Sequence, residues 1–368
     1  MMNIKRVETQ RVLHTAPQLP KKRRFVWILL LLGCTVLLSL LLAVCIGIIP
    51  LNPGEVYRII LYKLFGLNFE DAISRIPLAH IDIVWQIRLP RVLMALVAGA
   101  GLAVCGTVLQ ATVENPLAEP YILGISSGAS MGATFAILFG GLGVLSGFGT
   151  AFWAFWGALA AAVLVMILSS IGGRPSTVKI ILSGAVVSTV GIALTNLFVY
   201  LSNNAEGIQA AAFWTMGSLA SSGWRSLLLP ATGITICCAF FMMQPRILNG
   251  LLLGEEAAVT LGIDLVKVRR CYMIVVSLMT GLIVSACGIL GFVGLMIPHI
   301  VRNLVGSDHR RLIPAVILVG MIFLTWADVL ARTVLPSGEL PIGIITSLIG
   351  APFFISILLK QTFRFKNQ

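Results

Sequence analysis

Residues 120–173 form a run of 54 positions without one formally charged side chain. A helix crosses the hydrocarbon core of a bilayer with about 20 apolar residues, so this run is too long for one crossing and must double back. The glycine cluster GGLGVLSGFG at 140–149 supplies the natural turn. Such a hairpin has no place in a water-soluble domain of ordinary composition. Only 11% of the whole chain is charged, where a soluble domain carries about a quarter.

Similar apolar stretches recur at 25–50, 92–113, 121–140, 150–171, 180–201, 226–244, 271–290, 292–305, 312–335 and 340–359. The cut near 288–294 is made where CGILGFVG interrupts the 31 uncharged residues 271–301. The segment after it is short and contains Pro298, which suggests a broken helix inside a bundle. The expected fold is therefore all-α, a polytopic membrane protein with about ten transmembrane helices and no sizeable soluble domain. Residues 1–24 read as a basic tail, 25–362 as the ten-helix membrane domain and 363–368 as a short second tail. Residues 51–87 read as a linker-like outer loop.

The tail holds seven basic residues, and the 26 uncharged residues 25–50 that follow exceed the h-region of a signal peptide, about 7 to 15 residues. An even number of crossings puts both termini on one side. With the N-terminus in the cytoplasm, 19 Lys and Arg fall on the inner side and seven on the outer, which supports cytoplasmic termini. The net charge of +12 would suggest nucleic acid in a soluble protein. Here the charges sit at segment ends, so the expected partner is membrane lipid and no nucleic acid.

The chain has no G-x-x-x-x-G-K-[ST] phosphate loop, no G-x-S-x-G elbow and no H-E-x-x-H metal site. No catalytic residue is assigned, and any hydrolase must be another chain. The seven cysteines lack Cys-x-x-Cys spacing and the four histidines are scattered, so no metal site is expected. Within the apolar segments Asp328 is the clearest charge, with Arg332 four residues on along the same helix face. It reads as a neutralised pair near a helix end or as a proton relay. Glycine-rich tracts such as Gly99-Ala-Gly-Leu-Ala103 and Gly128-Ala-Ser-Met-Gly132 allow helices to approach closely.

The inner loop QPRILNGLLLGEEAAVTLGIDLVKVRR carries a short helix opened by Gly254, Glu255 and Glu256, whose acids complement the positive end of the dipole. Gly262 is placed to stop it. Such a helix on the cytoplasmic face suits either docking to a partner or a plain link between two spans.

In colinear order the chain contains WQIRLPRVLMALVAGAGLAVCGTVLQ (85–110), ENPLAEPYILGISSGAS (114–130), FWTMGSLASSGW (213–224) and LGEEAAVTLGID (253–264). GILGFVGLMIPHIVRNLVGSDHRRLIP, ADVLAR and ELPIGIITSLIGAPFFISILLK follow. Over about 85–360 this set resembles the FecCD-type permeases of bacterial ABC importers for iron–siderophore complexes, haem and vitamin B12.

The resemblance implies ten helices with both ends in the cytoplasm and a second permease subunit, identical or different. It also implies two separate ATP-binding subunits, where ATP and Mg would act, and an extracytoplasmic solute-binding protein. This chain would hold no cofactor and sit in the bacterial cytoplasmic (inner) membrane. Arg88, Arg91 and Arg332 match outer positions that meet acidic residues of the binding protein. Exposed arginines present forked donors to carboxylates, and headgroup anchoring is the other reading. Residues 253–264, with Gly254, Glu255, Glu256 and Gly262, match the segment that couples to the ATPase. Asn115 and Leu117, with Ser176 and Thr177 before the fifth span, match the gate, although Asn115 also suits a helix-ending turn. The implied cargo is an iron chelate, a ferric siderophore ahead of haem and haem ahead of cobalamin. The rival function is an ATP-independent secondary transporter or channel, against which the low intramembrane charge argues.

Overall fold

The computed structural model describes residues 22–66, 76–140, 149–172, 176–335 and 338–366. The first 21 residues of the basic tail and most of the glycine turn lie outside that set. Gly140 and Gly149, which bracket the turn, both have positive φ, at 68° and 70°.

Fourteen helices follow one another among the described residues: α1 Lys22–Cys45, α2 Pro53–Phe65, α3 Leu78–Thr112, α4 Ile125–Phe139, α5 Gly149–Ser170, α6 Thr177–Leu201 and α7 Ala205–Thr215. They continue with α8 Trp224–Met242, α9 Pro245–Leu251, α10 Glu255–Thr260, α11 Leu265–Cys287, α12 Val293–Val305, α13 His309–Thr333 and α14 Ile342–Lys366. Seven of these are long and apolar enough to cross a membrane, and three shorter apolar helices lie at Ile125–Phe139, Val293–Val305 and Ile342–Ile357. Together they cover the ten segments expected from sequence. Helical backbone begins at Lys22 and continues to Lys366, past both expected ends of the membrane domain.

Within the stretch 51–87, expected to be linker-like, the described residues 53–65 and 78–87 are helical. Asn52 accepts the Gly54 N–H at 2.9 Å, Pro53 sits in the first turn, and Gly66 closes the helix at φ 65°, which together define α2. The helix expected to begin at 92 begins at Leu78, and its early part is a π-helical stretch over Ile83–Arg88. Trp224 donates its indole N–H to the Trp85 carbonyl of that stretch at 2.8 Å. A short helix, α7, precedes α8 where sequence showed only a motif.

The shape of α12 follows from Pro298, which has no N–H to give the Gly294 carbonyl one turn back. Gln110 of α3 supplies the missing donor, its Nε2 lying 3.3 Å from that oxygen. At the start of the helix, Phe292 has φ 66° and donates its N–H to the Glu119 carboxylate at 2.7 Å. With 13 residues, α12 spans about 20 Å. The expected short segment lies inside the bundle, but it is not broken: helical backbone runs without interruption through Pro298.

The bundle is built round α3, in which 89% of the most apolar window is buried. Apolar side chains of α8, α11, α12 and α13 close on its central part. Those of α4, α5 and α6 close on its inner end, and those of α1 and α2 on its outer end. The approach is close enough to require glycine: a Cβ on Gly99 would overlap the Gly320 carbonyl of α13, and one on Gly106 the Gly294 carbonyl of α12. Gly128 of α4 faces Gly157 of α5 in the same way. The small-residue tracts therefore pack this chain against itself.

Gly106→Val should overpack the α3–α12 contact by about 1–3 kcal/mol or more, because the obstructing atoms are backbone. The expected outcome is a lowered thermal midpoint in detergent, read by size-exclusion of heated samples.

Candidate functional site

The sequence-singled residues gather at the two ends of the bundle. Along α3 the distance from Arg91 to Thr112 is about 32 Å at the usual helical rise. The start of α1 marks the inner end, where Arg311 lies over the Phe25 ring at 5.8 Å.

At the inner end, α3 stops at Thr112 and the chain turns through Glu114 to Leu117. Asn115 makes the turn, its side-chain oxygen accepting the Leu117 N–H at 2.9 Å while its own N–H bonds the Gln110 carbonyl. Leu117 is left 43% exposed. Ser176 caps α6 by accepting the Lys179 N–H, and Thr177 donates its hydroxyl to the Val113 carbonyl at 3.0 Å. All four expected gate residues thus belong to one local assembly.

The expected docking helix is α10, six residues long. Gly254 (φ 91°) precedes it and Gly262 (φ 79°) follows it, with the Ile263 N–H returning to the Ala258 carbonyl at 3.0 Å. Both glycines occupy backbone that a side chain would strain. Glu255 and Glu256 stand exposed in the first turn, and Leu253, Val259 and Leu261 are 64%, 58% and 63% exposed. An apolar patch rimmed by acids on so short a helix has the make-up of a contact surface. Asp264 caps α11, and the Lys267 N–H, with the Lys267 ammonium beside it, holds its carboxyl below the ordinary value.

Sequence reasoning passed over Arg269, counting it only as an inner-side charge. Its side chain is buried beneath α10 and bonded to the Thr112 carbonyl at 3.1 Å, Glu114 at 3.0 Å and Glu255 at 2.8 Å. Arg269, Ser176, Glu255 and Glu256 line one cleft of about 750 Å³, so the gate and docking segments meet there.

At the outer end the structure corrects the expectation of exposed arginines. Arg88, Arg91 and Arg332 are only 5%, 5% and 3% exposed. For two of them the reason lies in the end of α1, whose last carbonyls they reach. Leu42 finds an intrachain donor in Ile46, while Arg332 takes the Ala43 carbonyl at 2.9 Å. Arg88 takes those of Val44 and Cys45 at 3.2 and 2.9 Å, and also that of Ile49. Cations at a helix C-terminus also complement its dipole.

Arg91 bonds Asp328 at 2.9 Å and Glu339 at 2.7 Å, tying α3 to α13 and to the segment before α14. The expected Asp328–Arg332 pair is present at 3.3 Å, close enough for ion pairing but without hydrogen-bond alignment. The neutralised-pair reading of Asp328 accounts for this arrangement, with Arg91 as its better-aligned partner. Glu339 was legible only as the first residue of the motif ELPIGIITSLIGAPFFISILLK.

Comparison with known proteins gives a consistent picture. The family model described as the FecCD transport family matches residues 35–360. A cobalamin import system permease of Halobacterium salinarum is 42% identical over 77% of this chain and 74% of its own length. A hemin transport system permease of Yersinia pestis is 36% identical over 76% and 85%. A vitamin B12 import system permease of Klebsiella pneumoniae is 37% identical over 94% and 97%. A solved inward-facing structure, described as an ABC transporter of metal-chelate type, superposes with TM-score 0.76 at 31% identity, over 90% of this chain and 99% of that one.

Arg91→Ala should leave the Asp328 carboxylate buried without its aligned partner, at a cost of about 3–5 kcal/mol. Removing both charges together, as Arg91→Met with Asp328→Leu, should restore much of the loss. Thermal unfolding in detergent distinguishes the two: a double variant no more stable than the single one contradicts the pairing.

Proposed function

The chain belongs to the FecCD transport family and is a permease, not an enzyme; we propose that two such subunits enclose a pathway for a metal chelate, worked from the inner face by separate ATPases. The observation that carries this reading is α10 with its flanks. It is a short helix with exposed acids at its start and exposed Leu253, Val259 and Leu261 on and beside it, held between two glycines whose backbone a side chain would strain, and it lies against the gate assembly. A nucleotide hydrolase gripping that segment would have a short lever onto the turn at Asn115 and Leu117. The pathway would change state through contacts that differ between the two nucleotide states of the partner. ATP and Mg belong to that partner.

The remaining assignments follow from family membership. The subunit would sit in a bacterial cytoplasmic membrane with both termini inside, and an extracytoplasmic solute-binding protein would deliver cargo to the outer end. Arg88, Arg91 and Arg332 would serve that face by fixing its backbone, with their own guanidinium groups turned inward. The cargo class is a metal chelate. Named relatives import cobalamin and hemin, and a ferric siderophore belongs to the same chemical class, a large ligand enclosing a metal.

The test is uptake into vesicles containing the complex with its ATPase and binding protein, using cobalamin, haemin and a ferric hydroxamate as probes. ATP-dependent accumulation of one of them is expected. Glu255→Gln with Glu256→Gln, and separately Gly262→Val, should lower uptake at least about tenfold while the permease still folds. Accumulation by the permease alone under an ion gradient would instead establish the secondary transporter.

A further inference from the structure

Arg269 has a role that neither the gate assignment nor the docking assignment contains. It is the first residue of the pair Arg269-Arg270 in the first turns of α11; Arg270 is exposed, while Arg269 turns inward and is 5% exposed. A buried guanidinium needs compensation on several sides. Here the compensation comes from two different segments. Its Nε donates to the Thr112 carbonyl, the last residue of α3, at 3.1 Å. Its Nη2 lies 3.0 Å from Glu114 and 2.8 Å from Glu255, so one nitrogen bridges two carboxylates that are far apart in sequence.

Glu114 has φ 51°, in the left-handed region that a non-glycine residue adopts at a cost of about 1–3 kcal/mol. That conformation places its carboxylate against Arg269 and its peptide next to Asn115, whose side chain then closes the turn to Leu117. Glu255 is the first residue of α10. The chain of contacts therefore runs from α10 through Glu255, Arg269 and Glu114 to the gate turn. Thr177, bonded to the Val113 carbonyl, braces the same turn from α6.

We propose that Arg269 is the positioning residue that transmits displacement of α10 to the turn at Glu114–Leu117, acting as a charged tie between the docking segment and the gate. This rests on the importer reading above. The two carboxylates are partly exposed, at 33% and 55% of their side chains, so either can leave the guanidinium for water at modest cost while the other holds it. Loss of the Glu255 arm as α10 moves would alter the hold on Glu114, and with it the conformation of the strained turn.

The test reads the number of solute molecules imported per ATP hydrolysed, in the complete complex, using whichever of cobalamin, haemin or ferric hydroxamate the wild type imports. The variants are Glu114→Gln, Glu255→Gln, the double change, Arg269→Met and Arg269→Lys. Glu114→Gln alters an exposed carboxylate and so keeps the test open if Arg269→Met fails to fold. A fall of about tenfold in the ratio is expected for Glu114→Gln. The double change should be no worse than either single change, because both cut one tie. Arg269→Lys should recover part of what Arg269→Met loses.

An unchanged ratio in Glu114→Gln, with uptake and hydrolysis intact or falling together, would overturn the tie and leave the importer reading standing. Full additivity of the two Glu changes would also overturn it. A wild-type complex that imports none of the three probes with ATP, or imports one without ATP, would overturn the importer reading and the tie with it.

Discussion

Every peptide group and charge inside this bundle has to find its partner within the protein, because a lipid surround offers none. Much of the chain's odd detail follows from that constraint. At the end of α1, Arg88 and Arg332 reach across to three of its last carbonyls. Pro298 withholds a donor from Gly294, so Gln110 of α3 provides one. The interrupted chain before α12 would leave an N–H free at Phe292, and Glu119 receives it. Each repair uses a polar side chain from another part of the chain, so local irregularities become the connections that fix the helices relative to one another.

The same constraint explains where glycine is concentrated. Transferring apolar side chains between lipid and a helix interface yields little hydrophobic gain, so helices hold together by close packing and hydrogen bonding. At Gly99–Gly320 and Gly106–Gly294 the backbones of neighbouring helices approach until a methyl group would overlap a carbonyl. The second of these contacts also brings Gln110 within reach of the Gly294 oxygen. Packing and polar satisfaction are here one feature, with α3 at its centre.

The ten apolar segments were legible because hydropathy and length mark them, whereas α2, α7 and the early start of α3 carry no such mark. The short helix between Gly254 and Gly262 was legible because glycine acts on its own backbone, whereas the helix holding Pro298 runs on through it. What sequence could not supply was the facing of individual charges. Arg88, Arg91 and Arg332 were read as exposed because their motifs resemble outer positions of the family, yet near a segment end a side chain can point inward as easily as to water. Their burial depends on the carbonyls at the end of α1 and on Glu339, 248 residues from Arg91 along the chain, a proximity no local pattern encodes. Arg269 was lost in the same way, as one of several inner-side cations.

The two ionic clusters differ in a manner that bears on which end can move. At the outer end Asp328 is fully buried and Arg91 and Arg332 nearly so, so separating them exposes charges to a medium that cannot solvate them. At the inner end the arginine is equally buried, but both its carboxylates reach water, which lowers the cost of exchanging one partner for another. The outer cluster therefore acts as a fixed anchor joining α1, α3 and α13. The inner cluster, with a strained residue at Glu114 and glycines at positive φ on both sides of α10, is where the chain holds its adjustable contacts. A permease driven from the inner face needs that division, because force applied to a short segment moves a gate only if the opposite end of the same helices stays in place.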